Sequence, residues 1–151
     1  MVTDELPIAE FGFPGPLRDR LVAAILAGAK TSTTGLLEEY RREATQVDEV
    51  GARELVVDSD GRGVAVIETT RVEVRRMGDV DLAFALAEGE GFETVADWYD
   101  AHVRFFTSPE MVEALGDPPV TVDADTLVVC CWFRVVERLD PGPPAEPAAA
   151  G

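Results

Sequence analysis

The sequence predicts an α+β domain, and three observations lead there. Hydrophobic residues make up 46% of 151 residues, enough to pack the core of one globular unit and too many for a wholly disordered chain. Apolar residues recur at helical spacing early in the chain and again over 94–106, whereas from Arg53 they run or alternate as strands do. Turn chemistry at Ser59-Asp60-Gly61 then separates two strand-like runs as a hairpin would.

Taken in order, residues 1–15 carry no clear period, and Phe11, Gly12, Phe13 and Pro14 form a hydrophobic lead-in to the core. Pro16 suits a first helical position; Leu17, Leu21, Val22, Ile25 and Leu26 follow at helical spacing, and Gly28 supplies a stop. Lys30 therefore sits just past a helix end. Thr31, Ser32, Thr33 and Thr34 are expected as a hydroxyl-rich connection to a second short helix over 35–43, which carries Leu36, Leu37 and Tyr40. Leu55, Val56 and Val57 form one arm of the hairpin, and Val64, Val66 and Ile67 lead the other arm on to Val72 and Val74. A short helix over 79–87 runs into Glu88-Gly89-Glu90-Gly91. An amphipathic helix over 94–106 turns Val95, Trp98, Val103 and Phe106 inward, and a last strand covers 127–136. The domain is expected to span 1–139, because the Pro/Ala-rich stretch 140–151 buries too little to order itself and reads as a disordered tail. No internal repeat is evident.

Charge bounds the partners. Asp and Glu number 29 against 13 Lys and Arg, a formal charge of −16, which repels a long polyanion such as double-stranded DNA except at a local basic pocket. A small, weakly charged ligand is the expectation. The longest apolar stretch, 21–29, is about half the ~20 residues of a membrane span. The amino-terminal Met1-Val2-Thr3-Asp4-Glu5 lacks a signal peptide's basic start. No membrane partner and a cytoplasmic location follow. Cys130 and Cys131 are adjacent and cannot staple distant segments, one is expected in the core, and a single histidine, His102, cannot complete a Cys/His zinc set. No metal and no cofactor are expected. Lys30 is the single lysine among twelve arginines, and only lysine can give up a proton when buried.

Three templates fail on spacing. Gly28-Ala29-Lys30-Thr31 lacks the contiguous Gly-Lys-Ser/Thr and the earlier glycine of a phosphate-binding loop. Asp58-Ser59-Asp60 with Gly63 lacks a calcium loop's closing glutamate, Thr69 standing in its place. Gly89-Glu90-Gly91 follows a helix, not a strand, so it is no dinucleotide fingerprint. What remains is Lys30, Thr33 three residues on, and the glycine-flanked Glu90: a base, a hydroxyl nucleophile it could activate, and a carboxylate to move protons. Spacing of three would let Lys30 and Thr33 meet on a helical turn. Each has a plain structural alternative. Thr33 or Thr34 could cap the second helix, Lys30 complement the preceding helix's negative end, Glu90 lie at the surface, and His102 pack structurally.

The run Ile25-Leu26-Ala27-Gly28-Ala29-Lys30-Thr31-Ser32-Thr33, then Ile67-Glu68-Thr69-Thr70, Ala87-Glu88-Gly89-Glu90-Gly91, and Trp98, His102, Phe105 and Phe106 resemble the ASCH domain family over about residues 11–139. The resemblance implies a small PUA-like β-barrel of about five or six strands with helices packed around it. One branch of that family is an amidohydrolase that deacetylates the exocyclic amine of acetylated cytidine, and its catalytic residues fall on Lys30, Thr33 and Glu90. Thr31, Tyr40 and His102 are then assigned to substrate binding. Thr34, Gly35 and Leu36 stand where that branch has Ile, Arg and Asp. The segment 37–49 and the helix around Trp98 resemble a larger branch linked to single-stranded RNA cleavage or RNA binding. Three readings stay open: nucleoside deacetylation, single-stranded RNA cleavage, and non-catalytic recognition of a modified base or RNA.

Overall fold

The computed structural model describes residues 6–47 and 49–139; the expected tail, 140–151, lies outside them. Five strands, β1 (Ile8–Ala9), β2 (Ser32–Leu36), β3 (Arg53–Val57), β4 (Gly63–Arg76) and β5 (Leu127–Arg138), form one sheet in the order β1-β3-β4-β5-β2. β1 runs parallel to β3 and the other pairs are antiparallel. The helices are α1 (Pro16–Leu26), α2 (Leu37–Arg42), α3 (Leu82–Ala87), α4 (Val95–Phe106) and α5 (Pro109–Leu115). The α+β class holds, with an open ladder: β1 and β2 are its two edges. Among the described residues no helix is long and apolar enough to cross a membrane.

The long strands β4 and β5 carry the architecture. Register shifts at Val66/Ile67 and Thr69/Arg71 are the bulges by which a long strand bends, letting β4 pair with β3 through its first half and with β5 along its length. Both faces of the sheet are covered. Val128, Cys130, Met77, Phe84, Trp98 and Phe106 share one core with α3 and α4. Phe133, Ile67, Val56, Phe11, Val22 and Ile25 form the other core, beneath α1. Strand alternation sends Cys130 and Cys131 to opposite faces, and because helices cover both, both thiols are buried rather than one. Burial pushes the Cys130 thiol up to about 12.

The hairpin, α1, α4 and β5 stand where the sequence places them, and α3 begins at Leu82 rather than at 79. α1 starts at Pro16 on a Gly15 cap, and Asp81 and Thr94 cap α3 and α4 by accepting from Phe84 N–H and Asp97 N–H. Residues 31–34 differ: instead of linking two helices they enter β2, paired with Cys130, Cys131 and Trp132 of β5. Consequently α2 begins only at Leu37, and its cap position is Leu36, with no side-chain cap from Thr33 or Thr34. The strand β1 and the helix α5 are additions to the elements that the sequence predicts.

Candidate functional site

Two chain segments interlock at the end of α3. Thr31 N–H donates to Ala87 O at 2.7 Å, Ser32 Oγ donates to Phe84 O at 3.3 Å, and Gly89, at φ +65°, lies against the Ala29 carbonyl. This brings the loop after α1 beside the Glu88-Gly89-Glu90 turn. Lys30, only 2% exposed, reaches across the junction. Its Nζ donates to Ser32 O at 2.9 Å, Glu88 O at 3.3 Å and Glu90 Oε2 at 3.2 Å. Lys30 thus caps the end of α3 rather than that of the preceding helix α1 and is not at the surface, and Glu90 is its ion-pair partner, with a side chain 24% exposed.

A cavity of about 910 Å³ opens beside this junction, and Lys30, Thr33, Thr34, Tyr40, Glu90 and His102 are among its walls. Thr33 is on β2 rather than on a helical turn, so the spacing argument that would pair it with Lys30 does not apply. The structure brings both to one cavity without a hydrogen bond between them. Among the described residues the Thr33 hydroxyl has no hydrogen-bond partner, whereas its neighbour's is committed: Thr34 Oγ1 donates to Glu88 Oε1 at 2.8 Å. Tyr40 packs its ring edge against Gly35, where an added Cβ would lie 3.3 Å from Cε2. Thr31 is set apart from the other candidate residues. It is exposed, its hydroxyl donates to Ala87 O at 3.3 Å, and it is not on the cavity wall.

Sequence reasoning passed over Glu88. It is 1% exposed, and beyond Thr34 it accepts from Trp98 Nε1 at 2.7 Å and meets His102 Nε2 at 3.0 Å, both on Oε2. His102 Nδ1 lies 2.8 Å from Trp98 O, and its ring stacks on Trp98 at 4.3 Å between centroids. A signal was present: Trp98 and His102 share one helix face four residues apart, and two polar handles on a buried face require an acceptor. Glu88, Glu90 and His102 place one ligand atom each within 4.8 Å of one another. Lys30, Thr34 and Trp98 already donate hydrogen bonds to these carboxylates.

Burial by itself would raise the Glu88 carboxyl, but the hydrogen bond and charge of His102, then Lys30 and Thr34, overcome it and hold the group below its ordinary value of 4.5. Burial would lower His102; the hydrogen bond and charge of Glu88, the Trp98 carbonyl and Glu90 instead raise it above 6.5. The signs fix a pH window. Glu88 contributes stability above 4.5 and loses it as pH falls through its lowered folded value; His102 contributes below 6.5 and loses it as pH rises through its raised folded value. Thermal melts across pH are therefore expected to show the gap between wild type and Glu88→Gln widest between those values and closing on either side. A gap independent of pH would contradict the pairing.

An ASCH domain family model matches residues 8–137. The crystal structure of a protein from Enterococcus faecalis is similar at TM-score 0.76 and 32% identity, covering 87% of this chain and 77% of that one. That of an ASCH domain from Lactobacillus crispatus is similar at TM-score 0.67 and 30% identity, covering 78% and 71%. No curated protein matches the chain.

Proposed function

The chain belongs to the ASCH domain family, and from that premise we propose that it is an amidohydrolase that removes the acetyl group from the exocyclic amine of acetylated cytidine or a related nucleoside. One observation carries this reading: a buried lysine clamped to a carboxylate shares a cavity wall with a threonine hydroxyl that has no hydrogen-bond partner among the described residues. Lys30 passes one ammonium proton to Glu90, and its freed lone pair takes the Thr33 proton as Oγ1 attacks the acetyl carbonyl carbon. The C–N bond then breaks as Glu90 returns its proton to the leaving amine. Water attacks the acyl-threonine by the same groups in reverse, releasing acetate and restoring the hydroxyl.

Charge supports a nucleoside over an RNA strand. Carboxylates, Glu39, Glu43 and Glu54 among them, outnumber the basic groups along the cavity, which disfavours a phosphate backbone. Purified protein incubated with acetylated cytidine is expected to release cytidine, followed by chromatography. No release by folded protein would overturn the reading and favour binding or cleavage of single-stranded RNA, which a salt-dependent RNA assay would then detect.

A further inference from the structure

Glu88 touches the surroundings of every residue in the proposed reaction. Its backbone carbonyl accepts from Lys30 Nζ, its Oε1 accepts from Thr34, next to Thr33 on β2, and it lies two residues from Glu90. Its own conformation is locked by Trp98 and His102. Glu88 borders the cavity but is itself 1% exposed.

The protons within this lock can be located. His102 Nδ1 faces Trp98 O, an obligate acceptor, so it carries a hydrogen. Nε2 faces Glu88 Oε2 at 3.0 Å, and two lone pairs cannot sit at that distance, so a proton lies between them as well. Oε2 also receives Trp98 Nε1–H and Oε1 receives Thr34; these donors stabilise the carboxylate and leave the shared proton on the imidazole. Glu90 and, beyond it, Lys30 are further charged groups near the ring, and the Phe92, Trp98 and Phe106 rings pack against it.

We infer that Glu88, held ionised by the His102 imidazolium, is the positioning residue of the site, fixing Lys30 through its carbonyl and the Thr33 strand through Thr34. The catalytic half of this inference rests on the proposed deacetylation, whereas the geometric half does not. The chain has one histidine and one lysine, so in 15N-labelled full-length protein each gives a single set of side-chain resonances. Expected near neutral pH are an imidazolium with both ring nitrogens protonated and a Lys30 ammonium signal protected from exchange. In Glu88→Gln, checked for folding by circular dichroism, His102 becomes neutral and the Lys30 signal loses protection. The kcat for acetylated cytidine falls by about 100-fold, the scale of a misplacement of roughly 1 Å, with KM unchanged. The wild-type kcat declines at high pH along the NMR titration of His102.

Should Glu88→Gln not fold, Thr34→Val, which cuts one contact while suiting a strand, is expected to give the same changes at smaller size. A neutral His102 in the wild type, or Lys30 protection and kcat unaltered by these variants, overturns the inference. Absence of wild-type deacetylation instead sinks the proposed reaction, and the histidine and lysine resonances still decide whether Glu88 positions Lys30.

Discussion

Gly89→Ala is expected to lower the melting temperature by about 10 °C and Gly91→Ala, two residues on, by about 3 °C, on a scale of ~3 °C per kcal/mol for a domain of this size. Both glycines have positive φ, +65° and +89°, so both substitutions incur the left-handed penalty of about 1 kcal/mol. Their surroundings differ. A Cβ at Gly91 meets nothing within 4 Å, while one at Gly89 would lie 2.3 Å from Ala29 O and 2.6 Å from Lys30 N. Those are backbone atoms and cannot rotate aside, so the turn and the Lys30 loop must separate, which adds roughly 2 kcal/mol of overpacking. Separation also strains the Thr31 to Ala87 hydrogen bond and the Lys30 to Glu88 contact. Thermal melts of the two variants side by side check this; equal losses would mean that the close approach does not matter and only backbone strain does.

The same junction explains what could be read from the chain. α1, α3, α4 and the hairpin announce themselves because their signals are local: Pro16 at a start, apolar residues at helical spacing, Asp60-Gly61 at a turn. β2 does not, since Ser32-Thr33-Thr34-Gly35-Leu36 has no apolar alternation. Its inward polar groups are satisfied from far along the chain, Ser32 by Phe84 and Thr34 by Glu88, and its ladder is made with β5 nearly 100 residues away. For the same reason Lys30 and Thr33 could be picked out as chemically apt while the geometry that joins them, a strand rather than a helical turn, could not. Glu88 was hidden more deeply. An acidic residue at the end of a short helix in a chain of charge −16 looks like one more solvated carboxylate, and only folding α4 over it supplies the indole and imidazole that make its burial tolerable.

Lys30→Arg is expected to reduce deacetylation by about 1,000-fold, within the range by which a positioned general base or acid contributes, although it keeps the charge. Lys30 is ringed by three acceptors, Ser32 O, Glu88 O and Glu90 Oε2, at 2.9, 3.3 and 3.2 Å. A tetrahedral ammonium fits such a tripod with one hydrogen to each, and a planar guanidinium does not. The side chain is also 2% exposed, so a guanidinium cannot take the ammonium's place without disturbing the acceptors that surround it. Above all, the reaction needs Lys30 to surrender a proton to Glu90 and collect one from Thr33, and arginine remains protonated throughout. Thr33→Ala removes the nucleophile and is expected to lose activity to at least the same degree, while Thr33→Ser keeps the hydroxyl and a measurable rate. Quenching the wild type during turnover and mapping the peptide by mass spectrometry should place an acetyl group on Thr33. If Lys30→Arg stays active while Thr33→Ala does not, another base activates the threonine; if Thr33→Ala stays active and no acyl-threonine is trapped, water attacks the acetyl group directly and Lys30 with Glu90 activates it.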